Sequence, residues 1–281
     1  LNRPRLREFF NGPIWEEAIL LPWTRGITLF GIARAAWLAG AIILFLPADL
    51  IADTSYQSNV VCRSSLAVER REELAAKLRK ITGWSNLKFD PAGALRLGTS
   101  SVGGSKTARE LLSRVVMGSA AVVIEDASKR ADVAFCQVLP GKWKSIIKDP
   151  RPAFVVQIDF ADFENVMGDA PALQAFDAGW GLLHEFDHIV HNSLDATCLG
   201  ETGECEAHIN EMRRECGFPQ RAEYFHTHSP LTVHSAFISR LVQLSFEQEA
   251  APRGRKKRYL VVWDANLVGG ITQDKKIAAL R

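Results

Sequence analysis

The stretch WGLLHEFDHIVHN, Trp180–Asn192, places three histidines and a glutamate within eight consecutive residues, His184 to His191. Leu173, Phe176, Trp180, Leu183 and Ile189 recur near a 3.6-residue period, which predicts a helix from Pro171 through Asn192. On such a helix His184 and His188, four residues apart, share one face and can aim ring nitrogens at a single ion. Glu185 lies beside them, where a carboxylate reaches a metal-bound water without itself ligating. The pentad His184-Glu185-Phe186-Asp187-His188 reads as HExxH.

All seven histidines of the chain fall between His184 and His234. Imidazole is a common zinc ligand and carries protons at neutral pH, so this concentration points to a metal or acid–base site. A catalytic Zn²⁺ takes a third protein ligand and keeps one position open. His191 lies seven residues past His184, about 10 Å along a straight helix, too far for one tetrahedral ion. Glu206 and Glu204 sit on a second expected helix, Glu204–Cys216, that can fold back across Leu194–Gly203. Glu206 is the preferred ligand, because Asn210 one turn later is placed to orient a ligand histidine; Glu204 is the alternative. Tyr224, or one of His226, His228 and His234, is the candidate to stabilise an oxyanion.

Outward from this segment, Ser65–Ile81 and Thr107–Met117 read as helices separated by the Gly/Ser loop Gly98–Ser105, which lacks a Walker register. Ala120–Glu125, Asp132–Leu139 and Ala153–Phe160 are β-branched runs bounded by Pro, Gly or Asp and read as strands of one small sheet. The tail reads as a helix around Ser235–Phe246 and a strand at Tyr259–Trp263. Helices, a sheet, then the histidine-bearing helix make an α+β fold.

HEFDHIVHN, followed by ECEAHINEMRRECGFPQRAEY, resembles zinc metallopeptidases of the gluzincin branch. It is similar to the HExxH metallopeptidase domains of bacterial secreted effectors and polymorphic toxins. The resemblance covers His184 to Tyr224 and implies a minimal zincin-like domain: a small mixed sheet, with an edge strand around Phe154–Phe160 lying above the HExxH active-site helix. It implies Zn²⁺ held by His184 and His188, Glu185 as the catalytic base, and a peptide or protein substrate. Asp187 departs from the family pattern, which places uncharged residues between the glutamate and the second histidine. Ile209 stands where an acidic residue is frequent. The rival expectation is a non-catalytic metal-binding or interaction domain, with a structural zinc closed by Asp187 or a cysteine.

A net charge of +2 argues against dedicated nucleic-acid binding, and the basic run Arg253–Arg258 reads as a solvated turn before the last strand. The five cysteines form no CxxC pair. In an exported protein, Cys198 and Cys205 would be spaced to close a small loop. Residues 35–48, AAWLAGAIILFLPA, carry no charge and follow Arg25 and Arg34. That length suits a signal-peptide core better than a membrane span. The expected division is therefore an N-terminal signal or membrane-anchor segment, 1–52, and a metallopeptidase domain, 53–281. Such a protein would be exported or membrane-anchored, with possible membrane association through 35–48. A buried core helix in a cytoplasmic protein is the alternative.

Overall fold

The computed structural model describes residues 57–142, 151–228, 241–250 and 254–268, all within the unit Ser55–Arg281. The 35–48 run, His234 and Arg253 lie outside the described residues. Among the described residues no helix is long and apolar enough to cross a membrane.

The first sheet is built around the β-branched runs. Its order is β1 (Val60–Cys62), β4 (Ala121–Asp126), β6 (Pro152–Ile158), β5 (Cys136–Lys142). The first three strands are parallel and β5 runs antiparallel to β6. A parallel pair needs a long crossover. Between β1 and β4 this is supplied by α1 (Val68–Thr82), the short antiparallel pair β2 (Lys88–Phe89) and β3 (Leu95–Arg96), and α2 (Lys106–Met117). The Gly/Ser loop ends at Ser105, whose Oγ caps α2 by accepting from Ala108 N at 2.8 Å. Glu215 lies over the same helix start, accepting from Thr107 N at 3.0 Å and from the Ser105 hydroxyl. A carboxylate therefore occupies the position an anion would take there.

Several expected boundaries shift, and the run Asp132–Leu139 is a strand only from Cys136, continuing to Lys142 as β5. The run Ala153–Phe160 ends as a strand at Ile158, because Asp159 caps a short helix, α3 (Phe160–Glu164), by accepting from Asp162 N. The outer strand is β5, not the Phe154–Phe160 segment, which lies in β6 between two neighbours. The expected helix from Pro171 to Asn192 is broken into α4 (Ala170–Gln174) and α5 (Ala178–His191). Asp177 starts α5 by accepting from Gly179 N and Trp180 N. Trp180 is buried and donates Nε1 to Gln174 O at 3.0 Å, tying the two pieces together.

The second sheet is antiparallel, ordered β7 (Met167–Gly168), β11 (Arg255–Asp264), β10 (Leu241–Ala250), β8 (Gln220–Arg221), with β9 (Thr227–His228) also on β10. The expected helix around Ser235–Phe246 is thereby corrected from Leu241 onward. Val242, Leu244 and Phe246 alternate into a core with Val261 and Trp263, a period of two that suits a half-buried strand. Arg255–Arg258 begin β11 rather than forming a turn; they are exposed, and Lys256 and Arg258 pair with Glu247.

The larger core lies between the first sheet and helices α1, α2 and α5, around Leu74, Leu78, Leu112, Val122, Ile124, Leu183 and Phe186. Helix α6 (Gly203–Glu215) adds Ile209 and Met212 to it. Strand β5 and α5 come unusually close at Gly181, where an added Cβ would meet Cys136 Sγ at 2.9 Å. The architecture is thus α+β, with a small mixed sheet whose outer strand runs beside the histidine-bearing helix.

Candidate metal centre

Helix α5 presents His184 and His188 on one face as the i, i+4 spacing requires, with ring centroids 4.7 Å apart. The helix stops at Asn192, which adopts the left-handed conformation (φ 53°) and donates its N–H to His188 O. Asparagine tolerates that conformation better than most residues. The reversal swings the next residues back over the histidines. Asp195 Oδ1 arrives 3.1 Å from His184 Nε2 and 3.5 Å from His188 Nε2. Cys205, in the first turn of α6, brings its Sγ to the same place: one donor atom from each of His184, His188, Asp195 and Cys205 lies within 4.8 Å of every other. A tetrahedral zinc with bonds of about 2.0–2.3 Å spaces its donors about 3.3–3.6 Å apart; the two Asp195–histidine separations lie near that spacing, and the other pairs are within 4.8 Å.

Asp195 Oδ1 is the orphan of the site. It is buried and accepts no well-aligned hydrogen bond among the described residues, its neighbours being the two ring nitrogens just named. A carboxylate oxygen left so is costly unless a cation meets it. Burial pushes the Asp195 carboxyl up, but the facing His184 imidazole outweighs this and holds it below the usual carboxylate range. His188 shows the converse. Burial lowers it, yet the neighbouring Cys205 sulfur and the Ser193 carbonyl raise it to about 9.

Both rings are oriented from behind. His188 Nδ1 lies 2.9 Å from Ser193 O, so it donates there and leaves Nε2, which faces Asp195, as the nitrogen open to a metal once its proton is lost. His184 Nδ1 lies 3.4 Å from Glu206 Oε2. Glu206 is therefore brought to the site, but on the far side of the His184 ring from the convergence point. It is fully enclosed with Arg213, to which it is directly bonded, and with Arg221 Nη1 at 3.2 Å. Burial pushes its carboxyl up, and the two guanidinium charges more than reverse this, to well below the usual range. The carboxylate facing both Nε2 atoms is that of Asp195, not Glu206. Asn210 does not reach a histidine; its side chain is taken by Arg213 and by the backbone of Arg221. Glu204 is exposed.

Glu185 is buried on the β5 side of α5, close to the Val138 backbone of the outer strand. Burial raises its carboxyl, with His184 and His188 opposing. Tyr224 stacks on His184 with centroids 6.1 Å apart, and its hydroxyl lies beside the Asp195 carboxylate; burial, and then that charge, push the phenol up. His226 instead rests near Trp263 of the second sheet, centroids 5.7 Å apart. His228 lies in β9, paired with Val242.

The sequence reading missed Asp195 and did not single out Cys205 over the other cysteines. For Asp195 the available signal was Asn192, a residue suited to ending a helix and turning the chain, three positions before an aspartate. For Cys205 there was only proximity in sequence. Both Cys198 and Cys205 are free thiols, Cys198 exposed and Cys205 buried.

No protein-family model, curated protein or solved structure matches this chain.

Proposed function

We propose that this protein is a zinc-dependent peptidase with a zincin-like arrangement of strand and helix. The observation that carries the reading is the convergence of two histidine Nε2 atoms and a cysteine sulfur on one buried carboxylate oxygen, one residue from a desolvated glutamate under an outer β-strand. His184, His188 and Asp195 would hold the ion; Glu206 and Ser193 orient the two rings. Zinc bound there supplies Lewis-acid polarisation of a carbonyl and lowers the pKa of a water.

The rest falls to the chain itself. Glu185 takes the proton of the attacking water on its carboxylate and passes it to the leaving amine. A carboxyl raised by burial is suited to both halves of that transfer. No described strand pairs with the outer side of β5, so an extended peptide can add there as a further strand. Tyr224, stacked on His184, is the candidate oxyanion donor.

One observation favours a second reading. Cys205 offers a fourth protein donor, and a closed four-ligand shell is characteristic of structural zinc. The deciding experiment incubates zinc-loaded protein with a diverse peptide library and repeats it with Glu185→Gln. Peptidase function predicts cleavage that falls by roughly 10²–10⁴ in the variant at unchanged zinc content. Stoichiometric zinc with no cleavage by either protein would establish the structural reading.

A further inference from the structure

Asp187 is the charged residue between Glu185 and His188 in the HExxH pentad, and its side chain points away from the convergence point. It is fully buried. Its Oδ1 accepts from His191 Nδ1 at 2.6 Å, and its Oδ2 accepts from Ser193 Oγ at 2.6 Å and from His208 Nδ1 at 2.8 Å. The three donors come from three places: the last turn of α5, the turn after Asn192, and the second turn of α6. His191 continues the chain of contacts to Arg114 of α2, 2.5 Å from its ring nitrogen.

Ser193 is held twice. Its hydroxyl is bound to Asp187, and its carbonyl accepts from the ligand His188. The residue after it, Leu194, accepts from the backbone N–H groups of Glu204 and Cys205 at 3.0 and 3.2 Å. Asp195 comes next and pairs by backbone with Gly203. The turn that carries Asp195 is thus fastened to α5 at Ser193 and to the start of α6 at Leu194.

We propose that Asp187 is a positioning residue for the metal centre: through Ser193 it fixes the turn that delivers Asp195, and through His208 it fixes the helix that delivers Cys205. This inference rests on the metal site proposed above. It accounts for the departure from the usual HExxH pattern, because the third ligand here follows a tight reversal whose side-chain tie to α5 is the Ser193 hydroxyl on Asp187. An uncharged residue at 187 could not bind three donors at once.

The test measures Zn²⁺ affinity by competition with a chromophoric chelator, and records the visible spectrum of the Co²⁺-substituted protein. Removing such an outer contact typically weakens metal binding about 10–100-fold. Ser193→Ala is expected near the lower end and Asp187→Ala near the upper, each with an altered Co²⁺ spectrum. Ser193→Thr, which keeps the hydroxyl, should restore wild-type affinity. Leu74→Ala, in the core at α1, should lower stability yet leave affinity and spectrum unchanged. If Ser193→Ala and Asp187→Ala both bind within twofold of wild type, the positioning role is refuted. It is equally refuted if Leu74→Ala weakens binding as much as they do. Should Asp187→Ala not fold, the Ser193 pair decides alone. Wild-type protein that binds no zinc, or His188→Ala that keeps it stoichiometrically, overturns the metal site itself and this inference with it.

Discussion

Replacing Glu206 by Gln separates a metal ligand from a buried structural charge. In the wild-type protein its carboxylate is 1% exposed, bonded to Arg213, 3.2 Å from Arg221 Nη1 and 3.4 Å from His184 Nδ1. Arg213 is itself enclosed, stacked 5.3 Å from Trp180 and 5.5 Å from Phe246, so it cannot recover its hydration when the negative charge is removed. Breaking a buried pair by neutralising one partner costs about 3–5 kcal/mol. A glutamine keeps one acceptor oxygen, and Arg213 keeps Ala175 O and Asn210 Oδ1, so the lower half of that range is expected. For a domain of this size the whole range corresponds to a fall in Tm of roughly 6–20 °C. The assay is thermal or urea unfolding of the metal-free protein, followed by zinc titration of the variant. Because Glu206 is depressed well below its unfolded value, its contribution is fully present above about pH 4.3. It is lost as the pH falls through the folded value. The difference between variant and wild type should therefore shrink on acidification. Zinc should still bind, weakened about 10–100-fold as for an outer contact. A variant as stable as wild type that binds no zinc would show that Glu206 is a direct ligand and that the argument from its arginine pairs is wrong.

Asp195→Ala should abolish tight zinc binding while Glu204→Gln leaves it unchanged, as read by metal analysis after dialysis. Gly203→Ala should cost about 1–3 kcal/mol in chemical unfolding, since φ is +77° and the new Cβ would lie 2.3 Å from Ala196 N. Zinc binding should release protons below about pH 9, because the ligand must be neutral imidazole and His188 is held protonated up to that value in the metal-free protein. Apparent affinity then rises with pH up to about 9, the interval from about 6.5 to 9 included. Over the same interval the metal-free protein loses the stability that protonated His188 confers, which is complete below its unfolded pKa of about 6.5. Calorimetry in buffers of different ionisation enthalpy, together with unfolding at each pH, measures both.

Sequence reading reached what local periodicity encodes. The α5 histidine face, the β-branched strands and the helix ending before Gly217 all follow from spacing within one element. It failed where position depends on a tertiary neighbour. Glu206 carries the residue type and helix phase of a ligand, but its environment is set by Arg213 and Arg221, and the second of these lies beyond the end of its own helix. Asp195 lies in a segment without periodicity, and its place depends on one left-handed residue. Leu241–Phe246 has apolar residues that fit either a helix or a strand when read alone. Pairing along β11, ten residues with ten, decides for the strand. The outer position of β5 was equally out of reach, because strand order is a property of the whole sheet.

All four candidate donors fall between His184 and Cys205, so the ion would close only a short excursion of the chain. Loop-closure entropy grows only slowly with length, and a short excursion carries somewhat less of it than one spanning the whole domain. Chelation should therefore act as a regional event. Amide exchange would quicken in α5, the 192–203 turn and α6, while β4 and β6, whose pairing spans distant parts of the sequence, would keep their protection. The scaffold and the ion would then come apart separately, and a chain stripped of metal could be reloaded without passing through the unfolded state.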